Sequence, residues 1–406
     1  MKILVVSQYF YPENFRVNDL CQGLVDKGHD VTVYTGLPNY PAGSFFSGYS
    51  WTGPYDETLG NIKIIRTPLI PRGKNKSWLL ALNYFSFFFI ATLLAPFRVR
   101  GSYDKIFVFA TSPITSAIPA IFLRFLKRAP VFLWVLDLWP ESLKATGVIH
   151  NQRILDIVGL MVKGIYKFTD KILVASKGAI QRTELLGGKP SQIVFFPQWS
   201  EEFFLEEVKS PMQDPLIQDE SFKVMFAGNI GTSQDFETLV KAAEILKDHK
   251  DIHFLILGSG LMERWAKDEV KRLSLEETFI FLGSKPVEMM PGYYSKADLL
   301  LLSLKNTDLF SITIPGKLQS YLASRKAIIG SVNGEAAEVI HAANCGIAVP
   351  ASSPHLLAEA ILSLKTCSEK DLEEMGRNGQ NYYRMHYSRK ILLDQLEHLM
   401  SITSYT

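Results

Sequence analysis

Residues 223–235 read Lys223-Val-Met-Phe-Ala-Gly228-Asn229-Ile-Gly231-Thr232-Ser233-Gln234-Asp235. A short apolar run ending in glycine is the pattern of a strand buried on both faces. Thr232 or Ser233 is placed to cap a following helix, with Asp235 and Glu237 in its first turn. Strand, glycine turn and helix start make one βα unit. Two glycines there let backbone N–H groups come close to a phosphate at the positive end of the helix. A G-x-x-G turn alone fits an ordinary strand–helix corner equally well.

The same pattern repeats outward in both directions. Downstream it recurs at Ile252–Leu257, Phe279–Leu282, Ala297–Leu302 and Ala327–Gly330. Upstream it recurs at Ile3–Ser7, Asp30–Thr35, Lys63–Arg66, Lys105–Phe109, Val131–Leu136 and Lys171–Ala175. Apolar strands alternating with helix-length segments predict parallel sheets wound on both faces. Between the two series, residues 196–221 hold acidic residues and three prolines and read as a linker. The expected organisation is α/β: a domain over 1–200, a second over 201–385, and a C-terminal helix over 386–406 packing back on the first. Such folds bind ligands at the carboxyl ends of their strands, so a cleft between the two domains is the expected site.

Bulk composition agrees with two globular domains. A chain of 406 residues exceeds one ordinary core, and with 47% hydrophobic and 21% charged residues it shows no low-complexity bias. Cys21, Cys345 and Cys367 lie far apart, with no Cys-x-x-Cys pair and no histidine cluster. That argues against a structural zinc site and for a reducing compartment. The start, Met1-Lys-Ile-Leu-Val-Val6, turns polar at Ser7-Gln8; it lacks a signal peptide's apolar core and reads as the first strand. The net charge of +2 conceals an asymmetry. Residues 1–200 carry 22 Lys and Arg against 12 Asp and Glu, and the remainder carries 21 against 29. A basic first half suits an anionic partner. Its cations are scattered without a recognition motif, which argues against nucleic acid.

Two further segments carry chemistry. In Ser311-Ile312-Thr-Ile-Pro315-Gly316-Lys317-Leu-Gln-Ser320-Tyr321-Leu-Ala323, Pro315 belongs in the first turn of a helix with Leu318 and Leu322 on its apolar face. Lys317 then stands near the positive end of the helix dipole, where a cation is unfavourable unless an anion joins it. A solvated surface lysine is the alternative. In Val135-Leu-Asp137-Leu-Trp139-Pro-Glu141-Ser142, Asp137 falls at the carboxyl end of a strand, facing the expected cleft. It serves either a bound sugar or as a cap of the next helix, and Trp139 is equally readable as core.

In this order, these segments resemble the retaining glycosyltransferases of family 4, which have the GT-B fold, over nearly the whole chain. The likeness is greatest to the bacterial surface-polysaccharide branch that includes N-acetyl-L-fucosaminyltransferases. It is carried by Ser7-Gln-Tyr-Phe-Tyr-Pro-Glu13, Gly36-Leu-Pro-Asn-Tyr-Pro41, Asp137-Leu-Trp-Pro-Glu-Ser142, Gly228-Asn-Ile-Gly231 with Gln234, and Pro315-Gly-Lys317. The resemblance implies two Rossmann-like domains facing a central cleft, with acceptor binding on the first and nucleotide-sugar binding on the second. It also implies transfer with retention and no required metal or other cofactor beyond the UDP-sugar donor. Catalytic roles fall to Asp137 and Lys317. Donor contacts fall to Gly228, Asn229, Gly231, Gln234, Ser284, Lys285, Pro315, Ser320 and Glu338. Acceptor or phosphate contacts fall to Arg16, Glu13 and Glu141. The chain departs from the wider family where Asn229 and Gln234 align with an arginine and a lysine, and where Ile312 and Ser320 align with two glutamates. Glu335 and Glu338 are the candidates to compensate. Asp137 stands where many relatives have a histidine that contacts the donor sugar.

Residues 78–97 form an apolar stretch of about the length that spans a bilayer, interrupted by Asn83, Tyr84 and Ser86. Arg72, Lys74 and Lys76 precede it, and Arg98 and Arg100 follow it. A span would break the βα alternation around it; a buried helix and a helix lying in the membrane interface are the other readings, and the basic flanks favour the last. Residues 158–171, with Lys163, Lys167 and Lys171, extend the same face. A peripheral position on the cytoplasmic side of the cell membrane suits a polyprenyl-diphosphate-linked saccharide as acceptor, in O-antigen or capsule synthesis. The rival readings are a nucleotide-sugar epimerase of the same fold and a catalytically silent nucleotide-sugar-binding partner.

Overall fold

The computed structural model describes residues 1–73, 77–145, 149–206, 214–217 and 220–405. Lys74 and Lys76, among the basic flanks named above, lie outside them. The chain forms two units, one of Met1–Phe196 with Leu393–Thr406, the other of Pro197–Leu392.

The first unit holds strands β1 (Lys2–Val6), β2 (Asp30–Gly36), β3 (Asp56–Leu59), β4 (Ile62–Thr67), β5 (Lys105–Ala110), β6 (Val131–Val135), β7 (Lys171–Val174) and β8 (Ile193–Phe195). Its helices are α1 (Arg16–Asp26), α2 (Ser77–Arg98), α3 (Ala117–Lys127), α4 (Glu141–Ala145), α5 (Gln152–Lys167) and α6 (Gly178–Leu185). The sheet order is β3-β4-β2-β1-β5-β6-β7-β8, parallel except for β3. Strand β3, Asp-Glu-Thr-Leu, was not legible in the sequence because it lacks a buried strand's apolar run, and β8, Ile-Val-Phe, because three residues are too short a run to read as a strand.

The second unit holds β9 (Phe222–Ala227), β10 (Ile252–Leu257), β11 (Phe279–Gly283), β12 (Leu299–Ser303), β13 (Ala327–Ser331) and β14 (Gly346–Val349). All pair in parallel, in the order β11-β10-β9-β12-β13-β14. Its helices are α7 (Phe236–Ile245), α8 (Glu263–Arg272), α9 (Met290–Lys296), α10 (Asp308–Ser311), α11 (Gly316–Ala323), α12 (Glu335–Ala342), α13 (Pro354–Lys365) and α14 (Glu369–His386). Alternate residues of β9 serve opposite faces: Met225 and Ala227 pack with Leu318, Tyr321 and Leu322 of α11, whereas Val224 and Phe226 pack with Leu239 of α7 and Leu357 of α13. The sheet is therefore wound on both sides, and its strand order reverses between β9 and β12. In the first unit the reversal falls between β1 and β5. Loops leaving these strands open the crevice in which doubly wound sheets bind ligands.

The last helix, α15 (Arg389–Ile402), carries the chain back. Its residues Asp394 and Glu397 take Lys27 at 2.5 and 2.8 Å, and Glu397 also meets His29 at 3.0 Å.

Candidate functional site

In the second unit the reversal point is a set of backbone loops laid against each other. Gly228 ends β9 at φ 138°, and Gly258 and Gly260 after β10 stand at φ 139° and 159°, where side-chain-bearing residues are strained. A Cβ on Gly258 would collide with the Gly228 carbonyl, and one on Gly260 would come within 2.5 Å of the Ile230 carbonyl oxygen. This contact lets the N–H groups of Gly228 and Ile230 donate to the Leu257 and Ser259 carbonyls at 2.8 and 2.9 Å. Gly231 N–H donates to Gln234 Oε1 at 3.2 Å. The N–H groups expected to cradle a phosphate are therefore committed to the loops themselves. Ser284 extends the set, its hydroxyl donating to Ser259 Oγ at 2.8 Å. Gly258-Ser259-Gly260 was not singled out in the sequence. Its signal is a Gly-x-Gly closing a strand, and its importance comes from the neighbouring loop.

The expected helix cap is also revised. Thr232–Gln234 form a single 3₁₀ turn, and α7 starts only at Phe236. Asp235 stands between them in the left-handed region, φ 47°, with its carboxylate accepting from Thr238 at 2.8 Å and Ser352 at 2.7 Å. Helix α7 thus begins beyond the glycine turn, and α11 presents its N-terminus there instead.

Pro315 caps α11 and Lys317 is its second residue. Part of the lysine stem is accessible, yet the ammonium nitrogen is enclosed and has no hydrogen-bond partner among the described residues. It rests 3.8 Å from the Phe226 ring centroid, and a Cβ on Gly228 would meet Nζ at 3.0 Å. Burial lowers its pKa from 10.5 to about 7. An enclosed cation at a helix N-terminus, where like charge repels it, is relieved by a bound anion. Tyr321, one turn on, pins the helix: Ala227 N–H donates to its hydroxyl at 2.9 Å.

Other expected donor residues fall differently. Ser320 is turned inward, donating to the Lys317 carbonyl at 2.8 Å, so it does not replace a ribose-binding glutamate. Asn229 and Gln234 converge on Gly231, where its missing Cβ leaves room for both side chains. Lys285 pairs with Asp214 at 3.8 Å over the Tyr293 ring. Glu338 is exposed on α12. Glu335 opens that helix directly after Gly334, whose backbone packs so closely on the Ser311 carbonyl that a Cβ would collide with it. Glu335 is thereby the acidic residue beside the loop leading into α11.

In the first unit, loops after β1, β5 and β6 gather side chains. Asp137 follows β6; burial raises its carboxyl above the usual value, while the polar groups of Ser142, Ser112 and Trp139 oppose the rise. Trp139 is core and donates to Ser112 Oγ at 3.1 Å. Tyr9 stacks on Phe15 at 4.9 Å, and Tyr40 lies against both. Glu13, expected to face acceptor or phosphate, is interior instead. Its Oε1 accepts from the N–H groups of Asn39 and Tyr40 at 2.8 and 2.7 Å, and Oε2 from that of Phe10 at 3.1 Å. Desolvation raises its pKa to about 7 despite these bonds. Arg16 opens α1, and Glu141 opens α4 near Tyr166 with one enclosed carboxylate oxygen.

Helix α2 is apolar all round but docks in an unusual sense. Asn83 and Ser86 are buried, and Gln8 donates to Asn83 at 2.7 Å while Asn83 donates to the Ile70 carbonyl at 2.6 Å. Outward, Phe85, Phe89 and Leu93 are 53%, 48% and 57% exposed, in line with Trp78 and Phe97. Phe122 and Phe125 of α3, which packs on α2, and Ile157 and Leu160 of α5, which packs on α3, are exposed too. Within residues 158–171, expected to extend that face, Ile165 and Tyr166 are core instead. Residues 78–98 have the length and composition of a membrane span, with 28% of their most apolar window buried. Among the described residues no group of three or more His, Cys, Asp or Glu is arranged to hold a metal ion.

Two doubly wound α/β units, the second with a buried cation at its strand-reversal point, define the GT-B class of nucleotide-sugar enzyme folds. Residues 209–382 match the family described as glycosyl transferases group 1. The chain is similar to "Probable glycosyltransferase WbjE" of Pseudomonas aeruginosa, 25% identical over 66% of this chain and 68% of that one. It is likewise similar to "Putative colanic acid biosynthesis glycosyl transferase WcaI" of Escherichia coli K12, 23% identical over 80% and 81%. Among solved structures it superposes on Anabaena HepE in complex with UDP, with a TM-score of 0.68 and 14% identity over 99% of this chain and 100% of that one. The protein is a glycosyltransferase of GT-B fold.

Proposed function

We propose that the protein transfers a sugar, N-acetyl-L-fucosamine from its UDP donor, to a polyprenyl-diphosphate-linked saccharide during O-antigen or capsule synthesis. The observation that carries this reading is the enclosed Lys317 ammonium beside Gly228, without a hydrogen-bond partner among the described residues. The nucleotide belongs on the second unit, with its diphosphate on Lys317 and the α11 N-terminus. In the reaction the bond from the anomeric carbon to the β-phosphate oxygen breaks, and an acceptor hydroxyl oxygen bonds to the same face of that carbon. The hydroxyl proton goes to the departing phosphate. Charge developing on that phosphate is stabilised by fixed protein donors in the role a metal ion fills elsewhere. Asp137, in the first unit, is the sugar-facing carboxylate.

The exposed stripe of α2, continued on α3 and α5, supports a peripheral position on the inner face of the cell membrane. The relatives' names, which include colanic acid biosynthesis, support a surface polysaccharide as product. The test is thermal stabilisation by UDP-, GDP- and dTDP-sugars, followed by nucleotide release with a lipid-linked acceptor, with and without EDTA. UDP selectivity and acceptor-dependent, EDTA-insensitive release are expected. Preference for GDP would sink the donor assignment, and epimerisation or hydrolysis without acceptor would sink the transfer reading.

A further inference from the structure

The first unit contains a cation that neither the packing of the fold nor the donor site accounts for. Arg72 lies on the segment between β4 and α2, and its backbone N–H donates to Asn39 Oδ1 at 3.0 Å. Asn83 of α2 donates to the same oxygen at 3.3 Å, and Ser86 accepts from Ile70 N–H at 2.9 Å. The backbone around Arg72 is thus held by the polar, inward side of α2. The side chain is held differently: its guanidinium lies over the Tyr40 ring, 4.8 Å from the centroid, and makes no hydrogen bond or ion pair with any described residue.

Its surroundings are those of the candidate acceptor site. Tyr40 in turn lies against Tyr9, ring centroids 5.7 Å apart, and the Arg72 charge opposes the rise that burial causes in the phenol pKa values of Tyr9 and Tyr84. Tyr84 also neighbours Ser112 and Asp137. On the other side of α2, at the level of Asn83 and Ser86, Leu82, Phe85 and Phe89 are exposed. Only the helix, about 10–12 Å across, separates the apolar stripe from Arg72. A ligand with a long apolar chain and an anionic head a few bonds away fits both faces of one helix. A guanidinium stacked on an aromatic ring keeps its N–H fork free in the plane, the geometry that takes two phosphate oxygens at once.

We infer that Arg72, seated on Tyr40, binds the diphosphate of the polyprenyl-linked acceptor while α2 holds the prenyl chain on its outer side. This rests on the acceptor proposed above. Glu13, whose charge acts on the Tyr9 phenol, is already engaged by three backbone amides, leaving Arg72 to meet the ligand.

The test uses the full chain and phosphatidylcholine vesicles that are plain, or carry undecaprenyl phosphate or undecaprenyl diphosphate. The wild type is expected to bind the diphosphate vesicles about tenfold more tightly than the monophosphate ones, with soluble pyrophosphate competing. Arg72→Gln should reduce that preference to within about twofold, and Arg72→Lys should keep only part of it, with UDP stabilisation unchanged in both. Should Arg72→Gln fail to fold, Tyr40→Leu removes the platform and is expected to lower the preference as well. A full preference in the folded Arg72 variant, or in Tyr40→Leu where that is the variant that folds, overturns the role of Arg72 and leaves the lipid-linked acceptor standing. A wild type that binds none of the vesicles overturns the acceptor reading and this inference with it.

Discussion

The two strand-reversal points of this protein are built from opposite materials. That of the second unit is backbone: loops ending in Gly228, Gly258 and Gly260 bond to one another, and a single lysine is set over them. That of the first unit is side chains: Tyr9, Phe15, Tyr40 and Tyr84, with Arg72 and Asp137 among them. A diphosphate is the same in every nucleotide sugar, so a compact, glycine-built seat with one buried charge suffices. The acceptor proposed above, a saccharide on a lipid, has many hydroxyls and an apolar tail, and aromatic faces beside an exposed helix would suit both.

The largest expected effect tests the buried charge. Lys317→Ala should slow transfer by roughly 30- to 1000-fold, the range of removing one oxyanion-stabilising donor, and abolish stabilisation by UDP. A loss below about tenfold would place the diphosphate elsewhere. The side-chain half is tested by separating the two faces of α2. Phe87, fully buried, should cost about 3 kcal/mol or more in urea unfolding when replaced by serine. Replacing Phe85, Phe89 and Leu93 together by serine should leave unfolding within about 1 kcal/mol while removing vesicle flotation. Equal destabilisation by both would make α2 an ordinary core helix.

A smaller effect tests the backbone packing. Gly258→Ala forces a methyl into the Gly228 carbonyl at a positive φ, and should destabilise by about 2 kcal/mol. A neutral outcome would mean that the glycine loops are not braced on each other. The most graded test is pH. In the free folded protein Lys317 titrates near pH 7, below its ordinary 10.5. Between those values the unfolded chain binds the extra proton, so this group's contribution to stability rises with pH across that window. Binding of a diphosphate needs the charged form. UDP affinity should therefore fall above pH 7, by up to about tenfold per unit, with proton uptake visible by calorimetry in buffers of different ionisation heat. Lys317→Arg, charged throughout, should flatten the profile if it still binds, and a wild type with the same flat profile would remove the lysine from the binding step.

What could be read from residue order was whatever depends on near neighbours. Apolar runs between Val5 and Ile329 located the buried strands, Pro315 marked the start of α11, and Lys317 stood out as a cation on the wrong end of a helix. The carboxyl-end position of Asp137 followed from the end of β6. Strand β3 escaped because Asp-Glu-Thr-Leu carries no apolar run, and β8 and β14 because three or four residues are too short a run to tell from a loop. The N–H groups of Gly228 and Gly231 were misjudged because their acceptors, Leu257 and Gln234, depend on how the turn meets itself and its neighbour.

Composition could mark 78–97 as apolar, but a helix apolar on every side has no period to say which face turns inward. Asn83 and Ser86 settle it through partners at Gln8 and Ile70, contacts that exist only once β1 and the segment after β4 are in place. Glu13 went the same way, a carboxylate whose three amide donors include two more than 20 residues along the chain. Sequence alone determined the strands, the helix starts and the charge at residue 317, because these rest on local periodicity and on dipoles within a single turn. Tertiary structure decided which glycines touch, which carboxylate is interior and which face of α2 is bare, because burial is a property of the residues that meet and those are distant in the chain.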